Sequence, residues 1–123
     1  VYKRQIQYRF MDSSGNILLS GTENVNLDLL PEKFLVRDNY PNPFNPITTI
    51  QYELPNYSNV RVTIFDITGS TIKEINFGEM APGRYAYVWD GTNKIGNLVS
   101  TGVYFFQINA GSNTAIKKML LLK

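Results

Sequence analysis

Hydrophobic and polar residues alternate over short stretches along most of this chain, and turn-forming residues separate the stretches. In one stretch Val60, Val62 and Ile64 are separated by Arg61 and Thr63. An alternation with a period of two is typical of a strand that buries one of its faces. No segment shows the 3.6-residue period of a helix. The pattern therefore predicts an all-β protein.

Six strands are predicted from residue 47 onward, and a seventh is possible before them. The six lie at residues 50–54, 60–64, 71–77, 85–89, 103–108 and 114–122. Ile72, Ile75 and Phe77 depart from strict alternation, which predicts a β-bulge in the third strand. Short strands with regular turn signals are typical of an antiparallel, immunoglobulin-like β-sandwich with Greek-key connections and about seven strands.

The first part of the chain shows a shorter version of the same pattern. Ile6, Tyr8 and Phe10 alternate with polar residues, residues 12–16 have turn chemistry, and residues 17–20 return as a partner strand. Such a hairpin is marginal on its own. Its residue order resembles the last hairpin of a fibronectin-type-III-like module.

Domain boundaries follow from these patterns. A further alternating stretch at residues 25–29 completes the first unit. We expect residues 1–30 to end an upstream β-domain, residues 31–38 to form a linker in which part packs as an edge strand, and residues 39–123 to form a β-sandwich domain. The chain starts at Val1 with no signal-peptide pattern, and we expect it to be the C-terminal piece of a longer protein.

A proline-rich segment precedes the first strong strand. Each proline removes a backbone donor, fixes φ and favours extended geometry in the residue before it. The segment is therefore either a stiff entry that sets strand register or a recognition epitope. Tyr40 and Phe44 flank the prolines, and we expect both rings to cover one end of the sandwich. The candidate residues are Pro41, Asn42, Pro43, Phe44, Asn45 and Pro46.

A second motif follows the strand that ends at Trp89. Gly91 and Gly96 suit positions of positive φ, and Asp90 is placed to accept hydrogen bonds from N–H groups two residues on. A calcium site is disfavoured because Asp90 is the single acidic residue between Trp89 and Tyr104. We predict a structural loop.

The aromatic strand before that loop allows two interpretations. Tyr85, Tyr87 and Trp89 share one face. Such a face either packs in the sandwich core or, if two rings are exposed, stacks against sugars. Core packing is the expectation, with Trp89 buried.

The composition of the chain argues against several classes of function. The net charge is +2 with no long basic run, which argues against a nucleic-acid partner. No apolar stretch reaches the ~20 residues of a membrane helix. The chain contains no cysteine and no histidine, so the commonest general base and a frequent metal ligand are both missing. We predict neither enzyme activity nor a cofactor.

Four sequence stretches together resemble a known family. They are NYPNPFNPITTIQYELP, VRVTIFDITGSTIKEI, APGRYAYVWDGTNKIGNLVSTGVYFFQINAG and KKMLLLK. Residues 38–123 resemble the type A C-terminal sorting domain of the type IX secretion system, the Por secretion tail family. The WDG…G…G.Y stretch is also similar to the immunoglobulin-like module of flagellar hook-capping proteins.

The first resemblance implies a non-catalytic secretion signal. Its cargo would be the upstream domains in cis, and its partners a translocon and a sortase-like peptidase that cleaves near residues 31–39. It implies a route through the periplasm to the cell surface or the extracellular space. The lysines near the end of the chain are either a solvated strand edge or a short address that a translocon component binds by strand addition. The additional motif residues are Gly102, Tyr104, Lys117, Lys118, Leu120 and Lys123.

Two alternatives remain open. One is a flagellar hook-cap-like immunoglobulin module, which would bind hook or rod subunits. The other is a glycan-binding or structural accessory β-sandwich.

Overall fold

Nine strands make up the part of the chain that the structure, a computed structural model, describes. That part comprises the backbone of residues 3–11 and 17–26 and the whole of residues 30–123. The strands are β1 (Lys3–Met11), β2 (Ile17–Asn26), β3 (Leu35–Val36), β4 (Thr48–Leu54), β5 (Ser58–Asp66), β6 (Thr71–Met80), β7 (Gly83–Trp89), β8 (Gly102–Ala110) and β9 (Asn113–Leu121). None of the described residues belongs to a helix that could span a bilayer.

The strands form two sheets. The first sheet has the order β2-β1-β7-β4-β3, and the second has the order β6-β5-β8-β9. Within residues 30–123 every pair of strands is antiparallel. This part of the chain is therefore a seven-stranded sandwich with three strands facing four. The predicted immunoglobulin-like β-sandwich is confirmed.

Strands that follow one another in sequence do not always pair in a sheet, because the chain crosses from one sheet to the other. After β6 the chain leaves the second sheet, and β7 pairs with β4 in the first sheet. The chain then crosses back, and β8 pairs with β5. Because these connections cross between sheets, the two apolar faces are brought together as in a Greek key.

The core lies between the two sheets and follows the period of two. In β5 the inward residues Val60, Val62 and Ile64 have no exposed surface. In β7 the aromatic face is buried, with Tyr85 at 5% exposure and both Tyr87 and Trp89 at 0%. Core packing is thus confirmed for this strand, and the alternative of a sugar-stacking platform formed by these rings is wrong, because all three rings are buried.

The predicted irregularity in the third strand is also confirmed. The register between β5 and β6 shifts between Val60 and Arg61 and again between Ile64 and Phe65. Each shift leaves an extra residue on β6, so that strand is bent against its partner. Gly78, at φ +72°, lies at the first shift.

The N-terminal hairpin extends the first sheet. β1 pairs antiparallel with β2, and its residues Tyr8–Met11 pair in parallel with Arg84–Tyr87 of β7. The predicted turn at residues 12–16 and the end of the predicted stretch at 25–29 lie outside the described residues. Leu35–Val36, in the predicted linker, forms the edge strand β3 beside β4. The division into three domains stays a prediction.

Candidate interaction site at one end of the sandwich

The proline segment (residues 39–46) connects the edges of the two sheets. At its start Tyr40 exchanges backbone hydrogen bonds with Thr49 of β4. At its far side Phe44 forms a parallel bridge beside β9: its N–H donates to Leu120 O at 3.0 Å, and Leu122 N–H donates to Phe44 O at 3.0 Å. The three prolines all follow cis peptide bonds. The segment therefore covers the terminal part of the β9 edge.

A buried polar anchor holds the start of this segment. Asn39 is 2% exposed, and its Nδ2 donates to Thr48 Oγ1 at 2.9 Å and to Pro41 O at 3.1 Å. The Thr48 hydroxyl donates to Pro41 O at 2.8 Å. Because buried polar groups require partners, these bonds stabilise the bend where the segment leaves β4.

Asn42 attaches the same segment to the last strand. Its Oδ1 accepts a hydrogen bond from Leu120 N–H at 3.0 Å, and its Nδ2 approaches Lys118 O at 3.5 Å. Pro43 and Asn45 are exposed on either side of the buried Phe44. The segment therefore acts as a partial extra strand beside β9. The Asn42 side chain accepts the hydrogen bond from Leu120 N–H that a backbone carbonyl would accept in a regular strand pair.

Three aromatic side chains link the segment to both sheets. The rings of Phe44 and Trp89 lie 5.6 Å apart, and those of Trp89 and Tyr104 lie 5.8 Å apart in an edge-on arrangement. Trp89 Nε1 donates to Thr92 O at 2.9 Å, and the Tyr104 hydroxyl donates to Ser100 O at 2.7 Å. These rings satisfy their polar atoms locally and bury the rest. Phe44 covers the sandwich end as predicted. The same prediction for Tyr40 is wrong, because its ring is 81% exposed.

The loop after Trp89 packs directly against the proline segment. Gly91 has φ +77°, and a Cβ at this position would lie 3.0 Å from Pro46 O. Asp90 Oδ1 accepts from Thr92 N–H at 3.2 Å, which confirms the predicted cap. Gly96 has φ +89°, also as predicted. The two sequence motifs therefore meet at one end of the molecule.

Two turns at this end have the same hydrogen-bonding scheme. In the first, between β5 and β6, Asp66 Oδ1 accepts from the N–H groups of Thr68 at 2.9 Å and Ser70 at 3.1 Å. Gly69, at φ +87°, donates its N–H to Asp66 O at 3.0 Å. The hydrogen bond from the Thr68 hydroxyl, followed by those from backbone N–H groups, lowers the pKa of Asp66. Ile67 is presented at the tip, 73% exposed.

The second turn repeats this scheme with a neutral side chain. Asn93 Oδ1 accepts from the N–H groups of Ile95 at 3.1 Å and Asn97 at 3.0 Å. Gly96 N–H donates to Asn93 O at 3.0 Å. Ile95 is 73% exposed. Lys94 N–H donates to Ile72 O at the start of β6, so the two turns are neighbours.

Exposed apolar side chains gather at this end. Leu98, 58% exposed, approaches the Gly91 position, and Ile47, 53% exposed, follows Pro46 directly. Together with Ile67 and Ile95 they form what we call the turn surface. The hydrogen bonds of the two turns fix the backbone at Ile67 and Ile95 before binding, which limits the backbone entropy lost when a partner binds. Sequence analysis did not single out these four residues, although Asp66-x-x-Gly-Ser and Asn93-x-x-Gly-Asn share a visible spacing.

The terminal lysines differ in environment. Lys117 Nζ lies 3.4 Å from Asp38 Oδ1, and Lys118 is exposed on the outer side of β9. Lys123 N–H donates to Thr101 Oγ1 at 3.1 Å. Gly102 pairs with Leu121 at the start of β8, whereas Leu120 is half-buried beside Asn42. The structure therefore places these motif residues around the end of β9, with Lys117 and Lys118 on opposite faces of that strand.

Metal-ligand and acid side chains are few at this site. The described residues contain no group of three or more His, Cys, Asp or Glu that could hold a metal. The best candidate acid, Asp66, is engaged by its own turn. Burial raises the pKa of Tyr52, whose hydroxyl donates to Met80 Sδ at 3.3 Å inside the core. The arrangement can bind a partner surface through apolar contacts.

Comparison with known proteins identifies the family. The FlgD Ig-like domain matches residues 46–114, more than half of the chain. The chain belongs to the FlgD Ig-like domain family. It is 34% identical over 53 residues to the basal-body rod modification protein FlgD of Escherichia coli K12, covering 43% of this chain and 23% of FlgD. The FlgD-like part is therefore less than a quarter of that relative's length.

Two solved structures were matched to the chain. FlgD from P. aeruginosa is 30% identical, with a TM-score of 0.49 and 60% of each chain covered. The dimeric latent PorU from Porphyromonas gingivalis is 21% identical, with a TM-score of 0.56, and the match covers 88% of this chain and 11% of PorU. At that identity the likeness to PorU shows the fold alone.

The predicted function is corrected by these matches. The interpretation of residues 38–123 as a type IX sorting signal is wrong, because the family that matches is the FlgD Ig-like domain and the curated relative is FlgD. The error has a physical basis. The WDG loop and the G.Y strand start that suggested a sorting domain serve the sandwich itself, through Trp89, Gly91 and Tyr104. The alternative of an FlgD-like module is the better supported one.

Proposed function

We propose that this chain is a non-catalytic, FlgD-type immunoglobulin-like module of a larger protein and acts by binding structural subunits of a flagellar rod or hook. The observation that carries the proposal is the family match over residues 46–114. It fits a site whose prominent features are apolar side chains on rigid turns. FlgD is named as a basal-body rod modification protein, which supplies the class of partner.

The turn surface is the part of the module that we assign to this binding. Its two tips, Ile67 and Ile95, are each 73% exposed, and each is held by two side-chain-to-backbone hydrogen bonds within its turn. Exposed apolar residues at one end of a domain are candidates for an interaction site. Lys94 and Asp66 add one charge of each sign to its rim.

A pull-down with purified rod and hook subunits tests the proposal. We expect the whole chain to retain at least one of them and the Ile67→Ser/Ile95→Ser variant to lose most of that binding. Tyr57→Ser is the matched control, since Tyr57 is 68% exposed and lies at the other end of β5. Absence of binding to every subunit contradicts the flagellar assignment, whereas equal binding by the double variant contradicts the assignment to the turns.

A further inference from the structure

The outer edge of β9 carries backbone groups that lack a partner strand. Leu120 N–H donates to Asn42 Oδ1, so the even-numbered residues of β9 direct their backbone groups away from β8. Because these groups alternate along a strand, the N–H and C=O of Thr114 and Ile116 and the N–H of Lys118 lie on the same edge. None of the residues that the structure describes bonds to these five groups. The edge is therefore open from Thr114 to Lys118.

An open edge of this kind accepts an extended chain as a further strand. At about 3.3 Å per residue, residues 114–118 offer roughly 17 Å of edge. Main-chain hydrogen bonds give such added strands their affinity, and pockets for alternate side chains give specificity. The protein uses the same edge in this way at its end, where Phe44 of the proline segment forms a parallel bridge with Leu121.

A cavity adjoins the end of the open stretch. Its volume is about 270 Å³, and its lining residues are Asn42, Pro43, Val103, Lys118, Met119 and Leu120. Val103 and Leu120 contribute apolar side chains on the outer side of the second sheet. The cavity is smaller than the roughly 300–1,000 Å³ of typical small-molecule sites, which favours a single side chain as its occupant.

Charge and the proline segment together fix the direction of an added strand. Asn42 occupies the edge beyond Lys118, so the added strand cannot continue past it. Lys118 is exposed and has no ion-pair partner among residues 30–123, whereas Lys117, on the other face of β9, lies 3.4 Å from Asp38. A chain parallel to β9 brings its carboxylate to Lys118. An antiparallel chain would bring a cationic amino terminus there, which like charges disfavour.

We propose that the open stretch of β9 and the adjoining cavity bind the carboxyl-terminal end of another protein chain whose last residue is apolar. The bound end is extended and parallel to β9, and its backbone pairs with Thr114, Ile116 and Lys118. Its last side chain enters the cavity, and its carboxylate faces Lys118 Nζ. This inference does not depend on the proposed rod or hook binding, which uses the turn surface.

Fluorescence anisotropy of the whole chain with labelled peptides tests the proposal. The probes are six-residue peptides of alternating threonine and valine that end in leucine or serine, each as the free acid and as the amide. We expect the leucine acid to bind most tightly. Serine at the end should weaken binding roughly 10-fold or more, because burial of an apolar side chain is lost. The leucine amide should bind about 2- to 5-fold more weakly than the acid, because it lacks the exposed ion pair.

Substitutions in the chain separate the charge from the backbone pairing. In Lys118→Gln the acid and the amide should bind equally, at the affinity of the amide for the parent chain. Ile116→Pro removes an outward N–H and should abolish binding, whereas proline is tolerated at an edge position of this kind. Ile116→Ala is the matched control, because it also lacks the isoleucine side chain but keeps the N–H, and it should retain binding.

Hydrogen exchange gives a second measurement that does not depend on the proline variant. The leucine acid should slow exchange of the Thr114, Ile116 and Lys118 amides several-fold, and Leu120, which already donates to Asn42, should change little. The proposal is overturned if the leucine acid does not bind at up to millimolar concentration, or if the parent chain binds acid and amide equally. Protection that leaves these three amides unchanged would also contradict it, whatever the chain does with rod or hook subunits.

Discussion

At the scale of single residues, Gly91 shows how one missing side chain allows two segments to meet. Its backbone has φ +77°, and the Cβ of any other residue would lie 3.0 Å from Pro46 O and 3.1 Å from Pro46 Cβ. Gly96, five residues later in the same loop, has a similar φ of +89° but open space around its Cβ position. Both glycines avoid the strain of a positive φ, but only Gly91 also avoids a steric contact. Comparing substitutions at the two positions therefore distinguishes the two effects.

Gly91→Ala should therefore destabilise the chain more than Gly96→Ala. We expect about 1–2 kcal/mol for Gly96→Ala, from left-handed backbone strain alone. For Gly91→Ala we expect about 2–4 kcal/mol, because the loop must also move away from the proline segment. Urea unfolding of the two variants measures both values. Equal destabilisation by the two substitutions would show that the loop moves away from Pro46 without a loss of stability.

Asp66 gives its turn a pH dependence that the Asn93 turn lacks. Hydrogen bonding to the Thr68 hydroxyl lowers the pKa of Asp66 in the folded chain. A lowered folded pKa contributes stability at pH values above the unfolded pKa of about 3.9, and this contribution is lost as the pH falls through the folded pKa. Asp66→Asn keeps the accepting oxygen and removes the titration.

We accordingly expect the parent chain to lose more stability than Asp66→Asn between about pH 5 and pH 2. Chemical denaturation at a series of pH values measures the difference in slope. An NMR titration of the Asp66 carboxyl should give a midpoint below the usual value for aspartate. Parallel slopes for the two proteins would mean that the turn does not favour the ionised form.

At the scale of elements, β9 is an edge strand with an unusual partner. One side pairs with β8 along its whole length, from Asn113 to Leu121. The other side is covered only towards its end, where the proline segment supplies Phe44 and the Asn42 amide. Exposed strand edges favour unwanted pairing, so this cover and the neighbouring lysines protect the edge.

Asn42→Ala should weaken the contact between the proline segment and the end of β9. It removes the acceptor for Leu120 N–H, and we expect a loss of about 0.5–1.5 kcal/mol and faster hydrogen exchange of the Leu120 amide. Asn45→Ala is the control, because Asn45 is exposed in the same segment and takes no part in these bonds. If Leu120 exchanges at the same rate in both variants, the amide bond seen here does not protect the edge.

At the scale of the whole molecule, the N-terminal hairpin joins a sandwich that has a hydrophobic core. The buried hydrophobic core of the described residues runs from Val36 to Leu121. The hairpin joins the first sheet through the four parallel pairs that connect Tyr8–Met11 with Arg84–Tyr87. Residues 30–123 thus contain a hydrophobic core, and the backbone of the hairpin adds two strands to the first sheet.

A chain of residues 30–123 should fold cooperatively without the hairpin. We expect hydrogen exchange to become faster at the β7 amides that face β1, because those groups would then meet water. Exchange in β5 and β8, the centre of the other sheet, should change little. A truncated chain that fails to unfold in one cooperative transition would show that the hairpin is part of the folding unit.

Most of the fold could be predicted from local pattern. Alternation located the strands of the sandwich, because a period of two is imposed on any strand that buries one face. Val60, Val62 and Ile64 are an example, since all three are fully buried. The loop after Trp89 was predictable for a similar reason, because positive φ and Asx capping are properties of single residues and their nearest neighbours.

The candidate site was less predictable, because its contacts join residues that are distant in sequence. Asn42 bonds to Leu120, and the two Asx turns become neighbours only when Lys94 meets Ile72. Val103 and Phe105 gave a partial signal, since their strand is apolar on both faces. Which face of β8 remains accessible depends on which of them packs against the first sheet.

By itself the amino-acid sequence determined the strands, the turns and the all-β class, because these follow from side-chain period and backbone preference within a few residues. Only the tertiary structure decided which apolar side chains stay at the surface. Ile67, Ile95 and Phe105 are as hydrophobic as the core residues. They remain accessible because the two sheets can bury one face each, and the packing of those faces leaves the turn tips and the outer side of the second sheet at the surface.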